Sequence, residues 1–172
     1  MARNIEIKAR IENVEALIPK AAAIATEGPI EILQDDTFFR CDSGRLKLRT
    51  LAGNKGEIIF YRRTNQQGPK ESFYLRSPTS APEAMRDALS MACGAIGRVR
   101  KHRILFLAGR TRIHLDRVEG LGHFVELEVV LADDEPCEAG VHETRGLMET
   151  LAIQPSQLIE GAYLDLQARI GI

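Results

Sequence analysis

Residues 4–11 alternate strictly: Ile5, Ile7, Ala9 and Ile11 fall on one side of an extended backbone, and Asn4, Glu6, Lys8 and Arg10 on the other, because successive strand side chains point to opposite faces. The same period of two recurs over 31–40, 45–51, 57–63, 72–76, 98–107, 110–118 and 124–131. Helical spacing appears four times: Val14, Leu17, Ile18 and Ala21; Met85, Ala88, Leu89 and Ala92 after Pro82; Val141, Leu147, Met148 and Leu151; and Leu158, Ala162 and Leu166 after Pro155. Eight strands and four amphipathic cover helices predict an α+β protein dominated by one antiparallel sheet. The segments 52–56, 64–70 and 132–136 read as loops too short to link domains. Residues 1–172 are therefore expected to form a single domain, long enough for a real core.

The strands share an asymmetry. Arg45, Lys47 and Arg49 alternate with Leu46 and Leu48; Arg110, Arg112, His114 and Asp116 alternate with Thr111, Ile113 and Leu115; Glu126 and Glu128 share a face with Phe124, opposite Val125, Leu127 and Val129. One face of the sheet is charged and the other oily, and helices must cover the oily one. The charged face has two readings. It is either a solvated surface, the ordinary fate of alternating charge, or the lining of a closed interior. The interior strands are mostly basic and the terminal strands carry the acids, a segregation that favours a site. Closing the sheet into a barrel would bring the first and last strands together. Glu6, Glu126 and Glu128 could then meet as hard oxygen ligands suited to Mg²⁺ or Mn²⁺. Arg45, Lys47, Arg49, Lys101, Arg103 and Arg112 would converge with Lys8, and so many confined cations require a compensating anion. A polyphosphate fits, since arginine offers a fork to phosphate oxygens and lysine a compact charge.

Composition narrows the partners. Hydrophobic residues make up 44%, charged residues 27%, and the net charge is -1, so any anion-binding surface must be local. With aromatic content at only 5% and the basic residues sharing a face with acids, nucleic acid is not the expected partner. Cys41, Cys93 and Cys137 lack CxxC spacing, which suggests neither a disulfide framework nor zinc. The first ten residues have no apolar signal core and no apolar run reaches membrane-spanning length, so a cytoplasmic protein without membrane contact is expected. The oligomeric state is left open.

The segments "IEIK" with Glu6 and Lys8, "GRLKLR" from Gly44, "RKHR" with Lys101 and Arg103, and "HLDRVEGLGHFVELEV" from His114 resemble the signature of the CYTH superfamily, the triphosphate tunnel metalloenzymes. The last of these is most similar to the class IV adenylyl cyclase branch. The resemblance implies an eight-stranded antiparallel β-barrel, a tunnel open at both ends, that binds ATP or another triphosphate-bearing small molecule with a divalent metal. It implies Glu6, Glu126 and Glu128 as metal ligands. Phosphate contacts would come from Lys8, Arg45, Lys47, Arg49, Arg62, Lys101, Arg103 and Arg112, with Arg63 an equal candidate beside Arg62. Lys101, Arg103 and Asp116 are the expected catalytic residues, Asp116 either binding a second metal or orienting an arginine. The implied activity is a cyclase forming cyclic AMP and pyrophosphate; alternatives are an inorganic, nucleoside or thiamine triphosphatase, and binding without turnover. One departure stands out: the family's opening motif is Glu-x-Glu-x-Lys, and here its first glutamate is Asn4. His114 is expected to be a hydrogen-bonded supporting residue, and His102 and His123 have no constellation around them.

Overall fold

The computed structural model describes residues 2–171. Eight strands, β1 (Ala2–Ile11), β2 (Glu27–Phe39), β3 (Arg45–Leu51), β4 (Lys55–Arg63), β5 (Lys70–Thr79), β6 (Ala95–Ala108), β7 (Thr111–Val118) and β8 (Gly122–Val130), form one closed antiparallel barrel in the order β1-β5-β4-β3-β2-β6-β7-β8. The closing seam is β1 against β8, where Glu6 lies opposite Glu128 and Lys8 opposite Glu126. All eight expected strands are present. Several run further than their alternation does, because the strand pairs β2–β6 and β4–β5 continue into less patterned sequence.

Closure turns the charged face inward, so the oily face is on the outside. There Ile7, Ala9 and Ile11 of β1 join Ile104, Phe106, Ile113, Leu115, Val125 and Leu127. Covering them are α1 (Ile18–Ile24) and α3 (Cys137–Leu151), with Val14, Ala21, Met148, Leu151 and Ile153 completing this core. Full burial of a large aliphatic or aromatic side chain is worth about 1.5–3 kcal/mol. This outer core, rather than the tunnel, is thus the main source of stability. A further helix, α2 (Pro82–Cys93), packs on β3, β2 and β4. Among the described residues, no helix is long and apolar enough to cross a membrane.

Two helices begin later than their spacing predicts. α1 starts at Ile18, not Val14, with Pro19 in its first turn, where the missing proline N–H costs nothing. The fourth expected helix, 158–166, is instead a short 3₁₀ turn at Pro155–Gln157, an isolated bridge between Leu158 and Ala9, and then α4 (Tyr163–Arg169). Gly161 has φ +79°, a left-handed conformation that ends the preceding segment. The Asp165 carboxylate accepts the Ala162 N–H at 2.6 Å and so caps the new helix. This late start decides what α4 does: it closes one end of the barrel. Phe38, Val99, Val118 and Phe124, all of inward parity, pack there with Leu121, Tyr163 and Leu166 in one buried cluster. A Cβ on Gly97 would stand 2.2 Å from Leu164 Cδ1. The barrel end is therefore filled by side chains, and the tunnel is not open at both ends.

Candidate active site

Inside the barrel is a cavity of about 230 Å³. Of the residues singled out by sequence, Glu6, Lys8, Lys47, Arg49, Lys101, Arg103, Arg112, Glu126 and Glu128 all line it. Three do not. Arg62 is exposed on the outer surface beside Phe60, while Tyr61 and Arg63 face the cavity; strand parity therefore selects Arg63, not Arg62, as the tunnel arginine. Arg45 lies at the closed end, where its guanidinium pairs with Asp165 at 2.7 Å and donates to Asn65. Asp116 is fully buried in the wall beneath the cavity. There it accepts bonds from Arg103 Nε (2.7 Å) and Nη2 (2.6 Å), Lys101 Nζ (3.2 Å) and the Tyr163 hydroxyl (2.8 Å). Of the two roles foreseen for Asp116, this geometry fits orienting an arginine.

The site is held by two kinds of carboxylate. Asp36 and Asp116 are fixed anchors. Asp36 receives Lys47 Nζ at 2.7 Å and the Arg49 fork at 2.8 Å on both oxygens, much as Asp116 receives Lys101 and Arg103. Burial would raise each acid's pKa, but Arg49 and Lys47 outweigh it at Asp36, and Arg103 and Lys101 outweigh it at Asp116, so both stay ionised. Glu6, Glu126 and Glu128 form the second kind, each paired with a cavity cation. Glu6 bonds Arg63, Glu126 bonds Lys8 at 2.5 Å and Arg103 at 2.8 Å, and Glu128 bonds Arg112 at 2.8 Å. Burial raises and His114 and Arg112 lower the Glu128 pKa, to about 2 overall. The lysines show the cost of crowding. Burial first, then Arg103, lowers Lys101 to about 7, and burial with Arg49 lowers Lys47 to about 8.

His114, Glu126 and Glu128 each offer a donor atom within 4.8 Å of the others. The sequence expectation had Glu6 in this set and His114 as a support. Instead Glu6, though opposite Glu128, is engaged by Arg63, and His114 Nδ1 is buried without a hydrogen-bond partner. Asn4 Oδ1, also lining the cavity, is likewise buried and unpartnered. Two carboxylates, an imidazole and an orphaned amide oxygen, with Glu6 adjoining, suit a divalent cation.

Sequence reasoning missed several residues. Asp36 was within reach, since Gln34, Asp36 and Phe38 share a parity on β2 and all line the cavity. Lys70, opposite Glu6, is 2% exposed and donates only to the Gln66 carbonyl; it lay in a segment read as loop. Tyr163 carried no signal. Its ring sits under Lys8 Nζ at 3.6 Å and Lys101 Nζ at 4.8 Å, a cation–π arrangement that exists only because α4 turns into the barrel end.

No curated protein sequence matches the chain. Solved structures do. The PH1012 protein of Pyrococcus horikoshii superposes with a TM-score of 0.83 at 22% identity, over 95% of this chain and 98% of that one. A candidate adenylate cyclase of Vibrio parahaemolyticus gives 0.74 at 19%, over 96% and 97%. The Hippeastrum HpAC1 protein, a candidate adenylyl cyclase with a dominant triphosphatase activity, gives 0.68 at 16%, over 99% and 96%. At these identities the likeness is one of fold. The CYTH domain family model matches residues 2–163, the whole barrel and the first residue of its plug, and the chain belongs to the CYTH domain family.

Proposed function

We propose that this protein is a metal-dependent enzyme acting on triphosphates inside the barrel, with class IV adenylyl cyclase chemistry, ATP to cyclic AMP and pyrophosphate, as its leading activity. The family generally comprises enzymes that act on triphosphates. The observation that carries the reading is the inward face itself. Lys8, Lys47, Arg49, Arg63, Lys101, Arg103 and Arg112 surround one small cavity with Glu6, Glu126 and Glu128 among them, an arrangement for holding successive phosphoryl groups. Phosphoryl transfer needs positioning and charge neutralisation more than a protein nucleophile, and the cavity offers both. Asp116 and Tyr163 fix Arg103 and Lys101, Asp36 fixes Lys47 and Arg49, and the fixed cations face the chain without reorganising. A bound Mg²⁺ or Mn²⁺, held by Glu126 and Glu128 with Asn4, Glu6 and His114 close by, would supply charge neutralisation and orientation of the phosphates.

A second reading, triphosphatase, has its own support. At about 230 Å³ the cavity falls below the roughly 300–1,000 Å³ usual for drug-sized ligands. It suits a triphosphate chain better than a whole nucleotide, and hydrolysis makes no demand on the organic group. The test is to incubate the pure protein with ATP, tripolyphosphate and thiamine triphosphate plus Mg²⁺ or Mn²⁺ and identify the products. Cyclic AMP with pyrophosphate supports the first reading and orthophosphate without cyclic nucleotide the second; no product from any substrate refutes both.

A further inference from the structure

We propose that Cys41 and Cys93 form a reversible oxidation site on the outer wall of the barrel, a dithiol pair that a hydroperoxide closes to a disulfide. Neither residue lines the cavity, and their spacing in the chain gives no sign of a pair. The tertiary structure supplies it. β2 and β6 run antiparallel up to Phe39 opposite Ala95, and the ladder continues past the strand ends, where the Arg40 N–H donates to the Gly94 carbonyl at 3.0 Å. One further step of this register sets Cys41 against Cys93. Directly opposed residues of an antiparallel pair have Cα atoms about 4.5–5.5 Å apart, inside the roughly 4.4–6.8 Å that a disulfide spans.

Side-chain direction agrees with the register. Cys93 is the last residue of α2. It shares the covered face of that helix with Pro82, Arg86 and Leu89, at helical spacing, while Asp87 and Met91 point to solvent. That face packs on β3, β2 and β4, so Cys93 is turned towards the strands whose connecting turn carries Cys41. Cys41 is itself half-buried between exposed Arg40 and Asp42. The remaining thiol, Cys137, opens α3, which packs on β1 and β8 across the barrel from β2 and β3. A bridge between Cys41 and Cys93 also ties together two supports of α4. Arg45, which follows Cys41 into β3, pairs with Asp165 at 2.7 Å, and Gly97, which follows Cys93 into β6, lies against Leu164. The bridge is therefore a brace that leaves every cavity residue untouched.

The chemistry needs only the peroxide. One thiolate sulfur attacks a peroxide oxygen, the O–O bond breaks, and the departing hydroxide takes the proton that the thiol gave up, leaving a sulfenic acid and water. The sulfur of the second thiol attacks the sulfenic sulfur, the S–O bond breaks, and a second water leaves. Two thiols lose two electrons and two protons, and hydrogen peroxide gains both. A small dithiol reverses the bond by exchange.

The test treats the full chain with hydrogen peroxide, maps its peptides by mass spectrometry and counts thiols with a chromogenic disulfide. A peptide joining Cys41 to Cys93, a thiol count falling from three to one, and return to three with dithiothreitol are expected. Cys137→Ser should form the same bridge, and Cys41→Ser should not. A bridge through Cys137, a link between two chains, or separate sulfinic acids without the Cys41–Cys93 peptide overturns the inference, and this mapping of the wild type decides even where a variant does not fold. The oxidised protein should melt roughly 4–16 °C above the reduced one; an unchanged or lower midpoint overturns the brace.

Discussion

Replacing Asp116 by Asn tests whether the buried anchor organises the cationic floor. Asparagine keeps the shape and can still accept a hydrogen bond from Tyr163, but removes the charge that faces Arg103 at 2.7 and 2.6 Å and Lys101 at 3.2 Å. Breaking a buried ion pair by neutralising one partner costs about 3–5 kcal/mol, because the other charge stays buried and unpaired. For a chain of this size each kcal/mol moves the midpoint by roughly 2–4 °C, so the expected loss is about 6–20 °C. The pH dependence has a definite sign. Asp116 titrates below its ordinary value of 3.8 because Arg103 and Lys101 outweigh the burial that opposes them. Its stabilisation is therefore complete above about pH 5 and is lost progressively as the pH falls through 3.8 towards its lowered native pKa. Wild type and variant should differ fully at pH 7 and converge in acid. The assay is a thermal melt followed by circular dichroism at pH 7 and at intervals down to pH 2.5. A second arm adds tripolyphosphate with Mg²⁺, which should stabilise the variant more than the wild type, since the anion replaces the missing charge. A loss under about 2 °C at pH 7, well below the range expected of a buried pair, would refute the reasoning.

Three further outcomes are expected. Arg63→Ala should weaken tripolyphosphate binding by roughly 10- to 150-fold, the worth of a charged hydrogen bond, and Arg62→Ala should leave it unchanged in the same calorimetric titration; equal effects would contradict the assigned strand parity. Glu126→Gln and Glu128→Gln should each abolish metal-dependent turnover while preserving the barrel's circular dichroism, and near-normal activity of both at limiting metal would remove the metal site. Because burial and Arg103 lower Lys101 to about 7, it is largely neutral in the empty protein at pH 8, and a bound anion favours recharging it. Tripolyphosphate binding should then take up protons between about pH 7 and 9, measured by calorimetry in buffers of different ionisation enthalpy; uptake undiminished in Lys101→Met would assign it elsewhere.

Much of this protein is written in a period of two. Alternation over 4–11, 45–51, 98–107 and 124–131 gives both the strands and the sorting of charge from oil, because the β backbone allows each residue only one of two faces. Given that sorting, Glu6, Lys8, Lys47, Arg49, Lys101, Arg103, Arg112, Glu126 and Glu128 share the cavity as soon as β1 meets β8. The alternation could not say whether the charged face met water or itself, since closure depends on long-range pairing of the first strand with the fifth and the eighth. Nor could it decide Arg62 against Arg63, where 57–63 carries apolar residues on both faces and parity comes only from the register with β3 and β5. The pairing of acids with cations was also beyond it. Asp36 reaches Lys47 and Arg49 across a strand pair, and Glu6 reaches Arg63 across 57 positions of sequence. Least legible was the end of the chain. Leu158, Ala162 and Leu166 spell an amphipathic helix, and only the left-handed turn at Gly161 and the Asp165 cap delay it until Tyr163. That delay makes a cover helix into the plug that closes the tunnel, since a helix's role is set by where its first turn is anchored as well as by its apolar stripe.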